Sequence, residues 1–95
     1  FEVVRDVCLQ CRSWQAIAQV TGQELVRVLR ELDGDDVDAI VQVGTNLSMA
    51  RLAGEAEVWL EKPVIAINTA TYWHALRNNG IEDKVQGFGR LLADF

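Results

Sequence analysis

The sequence predicts an α/β fold, a three-layer sandwich with a short parallel sheet, and two observations lead to this prediction. Two short apolar runs, Ala39 to Val43 and Val64 to Ile67, have the composition of strands that are buried on both faces. Segments with helical periodicity follow both runs, and such alternation is typical of crossover units in a parallel sheet. We therefore expect the first run to be a central strand.

The amino-terminal third is expected to hold one strand and one helix. Phe1 to Leu9 is rich in valine and is predicted to be a strand. Residues 10–19 have partly helical spacing, so a short helical turn and a packed loop both stay open. Thr21 and Glu24 form a capping box, and the apolar face that follows predicts a helix that Gly34 ends.

The remaining helices follow the two apolar runs. A helix is predicted from about Ser48 to Leu60, before the pair Lys62-Pro63 stops it. The helix after the second run is expected to end at Gly80 with a glycine cap. One more helix is predicted over Glu82 to Phe95, where apolar residues recur at helical spacing.

Composition limits the number of domains and the classes of partner. With 95 residues, 49% hydrophobic and 24% charged, residues 1–95 should form a single globular domain. A net charge of −5 without a basic cluster argues against nucleic acid as a partner. No apolar run could span a membrane and no signal-peptide pattern is present, so we predict a cytoplasmic protein without membrane contact. Because the chain opens inside a predicted strand, we expect it to be part of a longer protein.

The candidate binding site is Gly44-Thr45-Asn46, at the carboxyl end of the first predicted strand. Open α/β sheets bind ligands at this edge. A glycine lets a ligand approach the backbone closely, and amides at the start of a helix favour an anion. Asn68 to Thr71 places small polar residues at the end of the second strand in the same way. We predict that Gly44, Thr45 and Asn46 bind a carboxylate, although a turn that only caps a helix would use the same residue types.

No other motif indicates a cofactor or a metal. Cys8 and Cys11 form a CxxC pair, but two cysteines and one histidine are fewer than the four ligands of a zinc site. His74 is expected to be a packed or capping residue, with a general base as the alternative. The acidic run from Asp33 to Asp38 lacks the final glutamate of a calcium loop. The glycines match neither a dinucleotide loop nor a nucleoside triphosphate loop, so we expect no cofactor and no metal.

Two longer stretches, taken together with FEVV at the start, resemble a known family. They are DAIVQVGTNL and KPVIAINTATYWHALRNNGI. Their order and spacing resemble the carboxy-terminal half of the aspartate/glutamate racemase superfamily, in the branch of arylmalonate decarboxylase and maleate cis-trans isomerase. The resemblance implies a protein of two similar α/β halves with the active site in the cleft between them. This chain would then be the carboxy-terminal half and would supply one wall of that cleft.

Gly44 occupies the position where the family has its second-half cysteine. In the family that thiol is one of an acid/base pair in the racemases, one of two cysteines in the isomerases, and the sole proton donor in the decarboxylase. Glycine has no titratable group, so no catalytic residue of this half is intact. What the resemblance leaves is the carboxylate-binding part of the site, at Gly44, Thr45 and Asn46.

Three functions follow as hypotheses. The first is the substrate-binding half of a cofactor-independent decarboxylase or isomerase that acts on a small carboxylate or dicarboxylate, such as an arylmalonate or maleate, through an enediolate. A thiol of the amino-terminal half would donate the proton. The expected protein partner of this chain is that amino-terminal half or, without it, a second copy of the chain. The second is a non-catalytic carboxylate-binding protein, and the third is an α/β interaction module without a ligand.

Overall fold

The computed structural model describes residues 1–95 and has the predicted α/β architecture with a short parallel sheet. The helices and strands, in chain order, are α1 (Trp14–Ala18), α2 (Gly22–Leu32), β1 (Ile40–Gln42), α3 (Ala50–Leu60), β2 (Val64–Ala66), α4 (Ile67–Asn78) and α5 (Arg90–Asp94). The two strands pair in parallel with Ile40 opposite Val64, and α3 makes the crossover between them. No helix is long and apolar enough to cross a bilayer.

One hydrophobic core lies between the sheet and helices α2 and α3. Ile40, Val64 and Ala66 point into it from the strands. Helix α3 meets the sheet through Ala53 and Ala56, which are 1% and 0% exposed, and their small side chains allow a close approach of helix and sheet. The other core residues are Leu25, Leu29, Leu47 and Met49.

The opposite face of the sheet is only partly covered. Val41 on this face is 60% exposed. Ile65 lines a shallow depression together with residues of α4 and α5. The expectation that the first strand is central and buried on both faces is therefore wrong, because this sheet has two strands and β1 leaves one edge and most of one face open.

The predicted cap residues occupy the helix ends that they were expected to occupy. The Thr21 hydroxyl accepts a hydrogen bond from the Glu24 amide at 3.2 Å and begins α2. Gly80 adopts a left-handed conformation, φ +71°, immediately after Asn79, the C-cap of α4. The Ile81 amide donates to the Leu76 carbonyl at 3.0 Å, as in a Schellman cap. At the other end of α2, Asp33 is the cap residue and Gly34 is not left-handed.

The predicted strand from Phe1 to Leu9 is not formed. The segment makes no ladder with β1, and its Val3 and Val7 are 78% and 43% exposed. Leu9 packs against the core, and the Arg5 guanidinium donates to the Leu32 carbonyl at 2.7 Å. The backbone N–H and C=O groups of a strand need a neighbouring strand to bond to. The high strand propensity of valine cannot replace that neighbour, so the segment stays irregular.

Three boundaries differ from the prediction. The predicted helix from Glu82 to Phe95 shrinks to α5, because Gly87 and Gly89 both have φ +93° and interrupt it. Helix α3 begins at Ala50 rather than Ser48. Helix α4 begins directly at Ile67, so the small polar residues 68–71 lie in its first turns and not in a loop.

Candidate functional site

The turn Gly44 to Leu47 lies directly after β1, at the carboxyl edge of the sheet. The Leu47 amide donates to the Gly44 carbonyl at 3.2 Å, which closes a four-residue turn. The Gln42 side-chain amide donates to the same carbonyl and holds it on the side of the strand. The candidate residues lie at the predicted strand end, but α3 begins only at Ala50, so their amides are not first-turn amides of a helix as the sequence had indicated.

The backbone amides of this turn are unpaired within the chain. Gly44, Thr45 and Asn46 are exposed, and none of their amides donates to another group of the protein. Consecutive free amides in a turn form a concave set of donors that suits an anion. This turn can therefore offer N–H groups to a carboxylate without breaking an existing hydrogen bond.

Side chains from two other segments meet the turn. The Asn68 side-chain amide, on the first turn of α4, donates to the Thr45 carbonyl at 2.9 Å. The Asn46 side-chain amide donates to the Trp14 carbonyl of α1 at 2.9 Å. The segments that follow β1 and β2 are thus in contact, as the sequence predicted. The contact of the turn with α1 was not predicted.

Space for a side chain exists at Gly44. A Cβ atom placed there would meet only the Gln42 Nε2 atom, at an ordinary 3.5 Å, and the backbone is not left-handed. Glycine is therefore not required at this position by the fold. The turn could hold a cysteine, as the resemblance to the racemase superfamily would lead one to expect, but this chain has none there.

The other reactive side chains make no hydrogen bond to the turn. Cys8 is exposed and Cys11 is half-buried, and neither forms a disulfide. His74 is exposed, and its Nδ1 atom lies 3.4 Å from the Asn78 side-chain amide on the next turn of α4. His74 is thus an exposed residue in the middle of α4, so the expectation of a packed or capping histidine is wrong.

A cavity of about 210 Å³ lies beside the turn and shares Asn68 with it. Its lining is Ala50, Asn68, Thr69, Tyr72, Phe88 and Leu92. Sequence reasoning missed this cavity because it assigned Phe88 and Leu92 to the buried face of one continuous helix. The pair of glycines around Phe88 is the local signal that could have indicated a break there.

The two carboxyl groups with a displaced pKa lie at the opposite, amino-terminal edge of the sheet. A hydrogen bond from Lys62 lowers the pKa of Asp33, and one from Arg5 lowers the pKa of Asp36. Asp36 and Arg5 form an ion pair at 2.7 Å. These groups precede β1 and stabilise the loop that leads into it, so they belong to the scaffold and not to the candidate site.

Comparison with known proteins identifies a family. The family model described as arylmalonate decarboxylase matches residues 1–92, which is nearly the whole chain. Comparisons with curated proteins and with solved structures gave no match. The matched range contains both strands and the Gly44 turn. The chain belongs to the arylmalonate decarboxylase family, the branch of the aspartate/glutamate racemase superfamily that its two long motifs resemble.

Proposed function

We propose that this chain is the substrate-binding half of a cofactor-independent decarboxylase that acts on a small carboxylate or dicarboxylate, such as an arylmalonate. The observation that carries the proposal is the set of unpaired amides at Gly44, Thr45 and Asn46, at the carboxyl edge of the sheet. Membership of the arylmalonate decarboxylase family supports the type of reaction. Residues 1–95 would form one wall of a cleft, and an amino-terminal half would form the other.

The amides fit the charge that develops during decarboxylation. When the bond between the α-carbon and the departing carboxylate breaks, its electron pair moves onto the remaining carboxylate and forms an enediolate, while carbon dioxide leaves. N–H groups directed at such oxygens can lower the barrier by a few kcal/mol each, about 2.7–4 in mutational studies of one oxyanion site. The Thr45 hydroxyl, which makes no hydrogen bond within the chain, adds a side-chain donor.

The α-carbon must then receive a proton, and the family's proton-donating position in this half is occupied by a glycine. Gly44 has no side chain, and no thiol or imidazole is hydrogen-bonded to the turn. A thiol on the amino-terminal half, facing Gly44 across the cleft, would donate the proton.

The same absence supports a second candidate, a carboxylate-binding protein of this family that carries out no reaction. It would use the same amides and differ only in having no thiol opposite them. A cysteine at the equivalent strand end of the amino-terminal half favours the enzyme, and a glycine there favours the binding protein. Both candidates share the carboxylate site at Gly44, Thr45 and Asn46.

A titration of the ¹⁵N-labelled chain with phenylmalonate and with maleate tests this shared site. We expect the amide signals of Gly44, Thr45 and Asn46 to move most, because hydrogen bonds to a carboxylate shift amide protons. Thr45→Val removes one hydroxyl donor at nearly constant volume and should weaken binding about fivefold, since a hydrogen bond to a charged group contributes about 1.5–3 kcal/mol at best and less at an exposed site.

Thr71→Val is the matched control, because Thr71 is an exposed threonine of α4 that lines a different depression, to which none of Gly44, Thr45 and Asn46 contributes. It should leave the affinity unchanged. Malonamide, which has the shape of malonate without its charge, should produce no shift at the turn. The carboxylate site is refuted when both dicarboxylates leave the three amide signals in place, or when Thr45→Val and Thr71→Val have equal effects.

A further inference from the structure

Arg12 is a cationic side chain without a partner in the chain. The sequence has nine Lys and Arg residues, and the other eight each make a hydrogen bond, an ion pair or a contact with an aromatic ring. Arg12 makes none of these and is exposed. A guanidinium is always charged and has five N–H donors, so this one can bind an anion without losing an existing contact.

The backbone on both sides of Arg12 is held in place. Leu9, three residues earlier, packs against the core. The Ser13 hydroxyl caps α1, and the Trp14 carbonyl accepts the hydrogen bond from the Asn46 side chain at 2.9 Å. The segment is therefore fixed on the protein, while the Arg12 side chain itself is free to turn towards a ligand.

These contacts place Arg12 beside the carboxylate site proposed above. Trp14 contacts Asn46 of the turn, and the two residues from Arg12 to Trp14 span at most about 7 Å. The guanidinium lies at the end of a long side chain, and a charge acts over about 8 Å at physiological ionic strength. A ligand bound at the turn is thus within reach of the positive charge of Arg12.

The turn amides alone do not distinguish a ligand with one carboxylate from a ligand with two. The unpaired N–H groups of Gly44, Thr45 and Asn46 suit a single carboxylate. A second carboxylate brings another negative charge to a chain whose net charge is −5, and the two repel each other. A guanidinium beside the turn offsets this repulsion and can donate to both oxygens of the second carboxylate.

We propose that Arg12 makes the carboxylate site selective for dicarboxylates, by pairing with the second carboxylate of the ligand. This inference rests on the proposed function and names the class of ligand for that site. A malonate carries two negative charges, and the enediolate that remains after neutral carbon dioxide leaves also carries two. Arg12 therefore suits the decarboxylase and the binding protein alike.

Phenylmalonate and phenylacetate are the probes, because they share a ring and one carboxylate and differ in the second carboxylate. At neutral pH the parent chain should bind phenylmalonate more tightly. Arg12→Gln should weaken phenylmalonate binding about three- to fivefold, the upper range for an exposed ion pair, and should leave the affinity for phenylacetate within about twofold. Arg12→Lys keeps the charge and should recover most of the loss.

Arg27→Gln is the matched control, because it changes the net charge equally. The Arg27 guanidinium already pairs with Glu31 on α2 at 2.7 Å, so this variant should leave both affinities unchanged. In the ¹⁵N-labelled chain, the Nε–H signal of Arg12 should move with phenylmalonate and stay in place with phenylacetate. A purely structural role of Arg12 would not produce this difference.

The outcomes separate this proposal from the one on which it rests. Arg12→Gln that weakens both ligands equally or weakens neither, or Arg27→Gln with the same effect, would overturn the role of Arg12. The carboxylate site would still stand in these cases if the amide signals of Gly44, Thr45 and Asn46 move with phenylmalonate. If those signals stay in place, the carboxylate site is refuted and the role of Arg12 with it.

Discussion

Lys62 connects three groups at the amino-terminal edge of the sheet. Its ammonium donates to the carbonyls of Gly34 at 3.0 Å and Val37 at 2.9 Å, and it pairs with the Asp33 carboxylate. The side chains of Lys62 and Asp33 are 17% and 29% exposed, so water screens this pair less than a surface pair. The hydrogen bond from Lys62 is the main reason why the pKa of Asp33 lies below its usual value, although burial opposes it.

This arrangement predicts how stability depends on pH. The pKa values of Asp33 and Asp36 are lowered in the folded chain, so their contribution is complete above the unfolded value of about 3.9 and is lost as the pH falls through the lower folded values. We therefore expect the free energy of unfolding in urea to decrease below about pH 4. Asp33→Asn should flatten that decrease because it removes one of the two titrating groups.

Asp35→Asn is the control for this measurement, because Asp35 lies between the two and makes no ion pair. It should leave the steepness of the acid limb unchanged. A chain whose stability rises on acidification, or an Asp35 variant that flattens the curve as much as Asp33→Asn does, would contradict the assignment of the acid dependence to these ion pairs.

At the scale of elements, α5 is attached to α3 by a close backbone contact. A Cβ atom on Gly54 would lie 2.6 Å from the Gly89 nitrogen, closer than such atoms can approach. One turn further along α3, the Glu57 carboxylate accepts from the Arg90 amide at 2.9 Å and from the Val64 amide of β2 at 3.2 Å. Gly54 and Glu57 thus position the start of α5 and one wall of the cavity.

Gly54→Ala should destabilise the chain even though alanine is the better helix former. The helix propensity gain is about 1 kcal/mol, whereas overpacking costs about 1–3 kcal/mol and a lost hydrogen bond to the Glu57 carboxylate about 1.5–3 kcal/mol. We expect a net loss of about 1.5–5 kcal/mol by urea unfolding, the sum of these costs less the propensity gain. Gly22→Ala is the control, because a Cβ on Gly22 meets nothing within 4 Å. A Gly54→Ala chain as stable as Gly22→Ala would show that the close contact is not maintained in solution.

The elements that the sequence predicted correctly depend on residues close together in the chain. The Thr21 cap, the Gly80 cap and the order β1, α3, β2, α4 are of this kind. The failed elements depend on distant partners: the strand from Phe1 to Leu9 lacks a neighbour, and α5 is short because glycines precede it and α3 fixes its start.

The candidate site divides in the same way. The location of the Gly44 turn after β1 was predictable, because it requires only a strand that ends in small polar residues. The contacts of Asn46 with Trp14 and of Asn68 with Thr45 join segments that are 32 and 23 residues apart. Periodicity carries no information about such pairs, and the cavity formed by α3, α4 and Phe88 was missed for the same reason.

For the molecule as a whole, the uncovered side of the sheet is the main departure from a closed α/β fold. Val41 and Val43 are 60% and 74% exposed, and β1 has no partner on its outer edge. Exposed edges with apolar side chains pair with other chains unless they are covered or charged. The exposed valines of the segment before α1, Val3 at 78% and Val4 at 48%, add apolar surface of the same kind.

We therefore expect the chain to self-associate with increasing concentration when no other half is present, and sedimentation velocity would measure this. Val41→Lys should shift the chain towards monomer, because it places a charge on the exposed strand edge. Val58→Lys is the matched control, since Val58 is 79% exposed but lies on α3 and not on the sheet. If Val58→Lys disrupts association as strongly as Val41→Lys, a general gain in solubility explains the effect and the sheet edge is not the contact. If the parent chain stays monomeric up to high concentration, the prediction that the exposed sheet edge drives self-association is wrong.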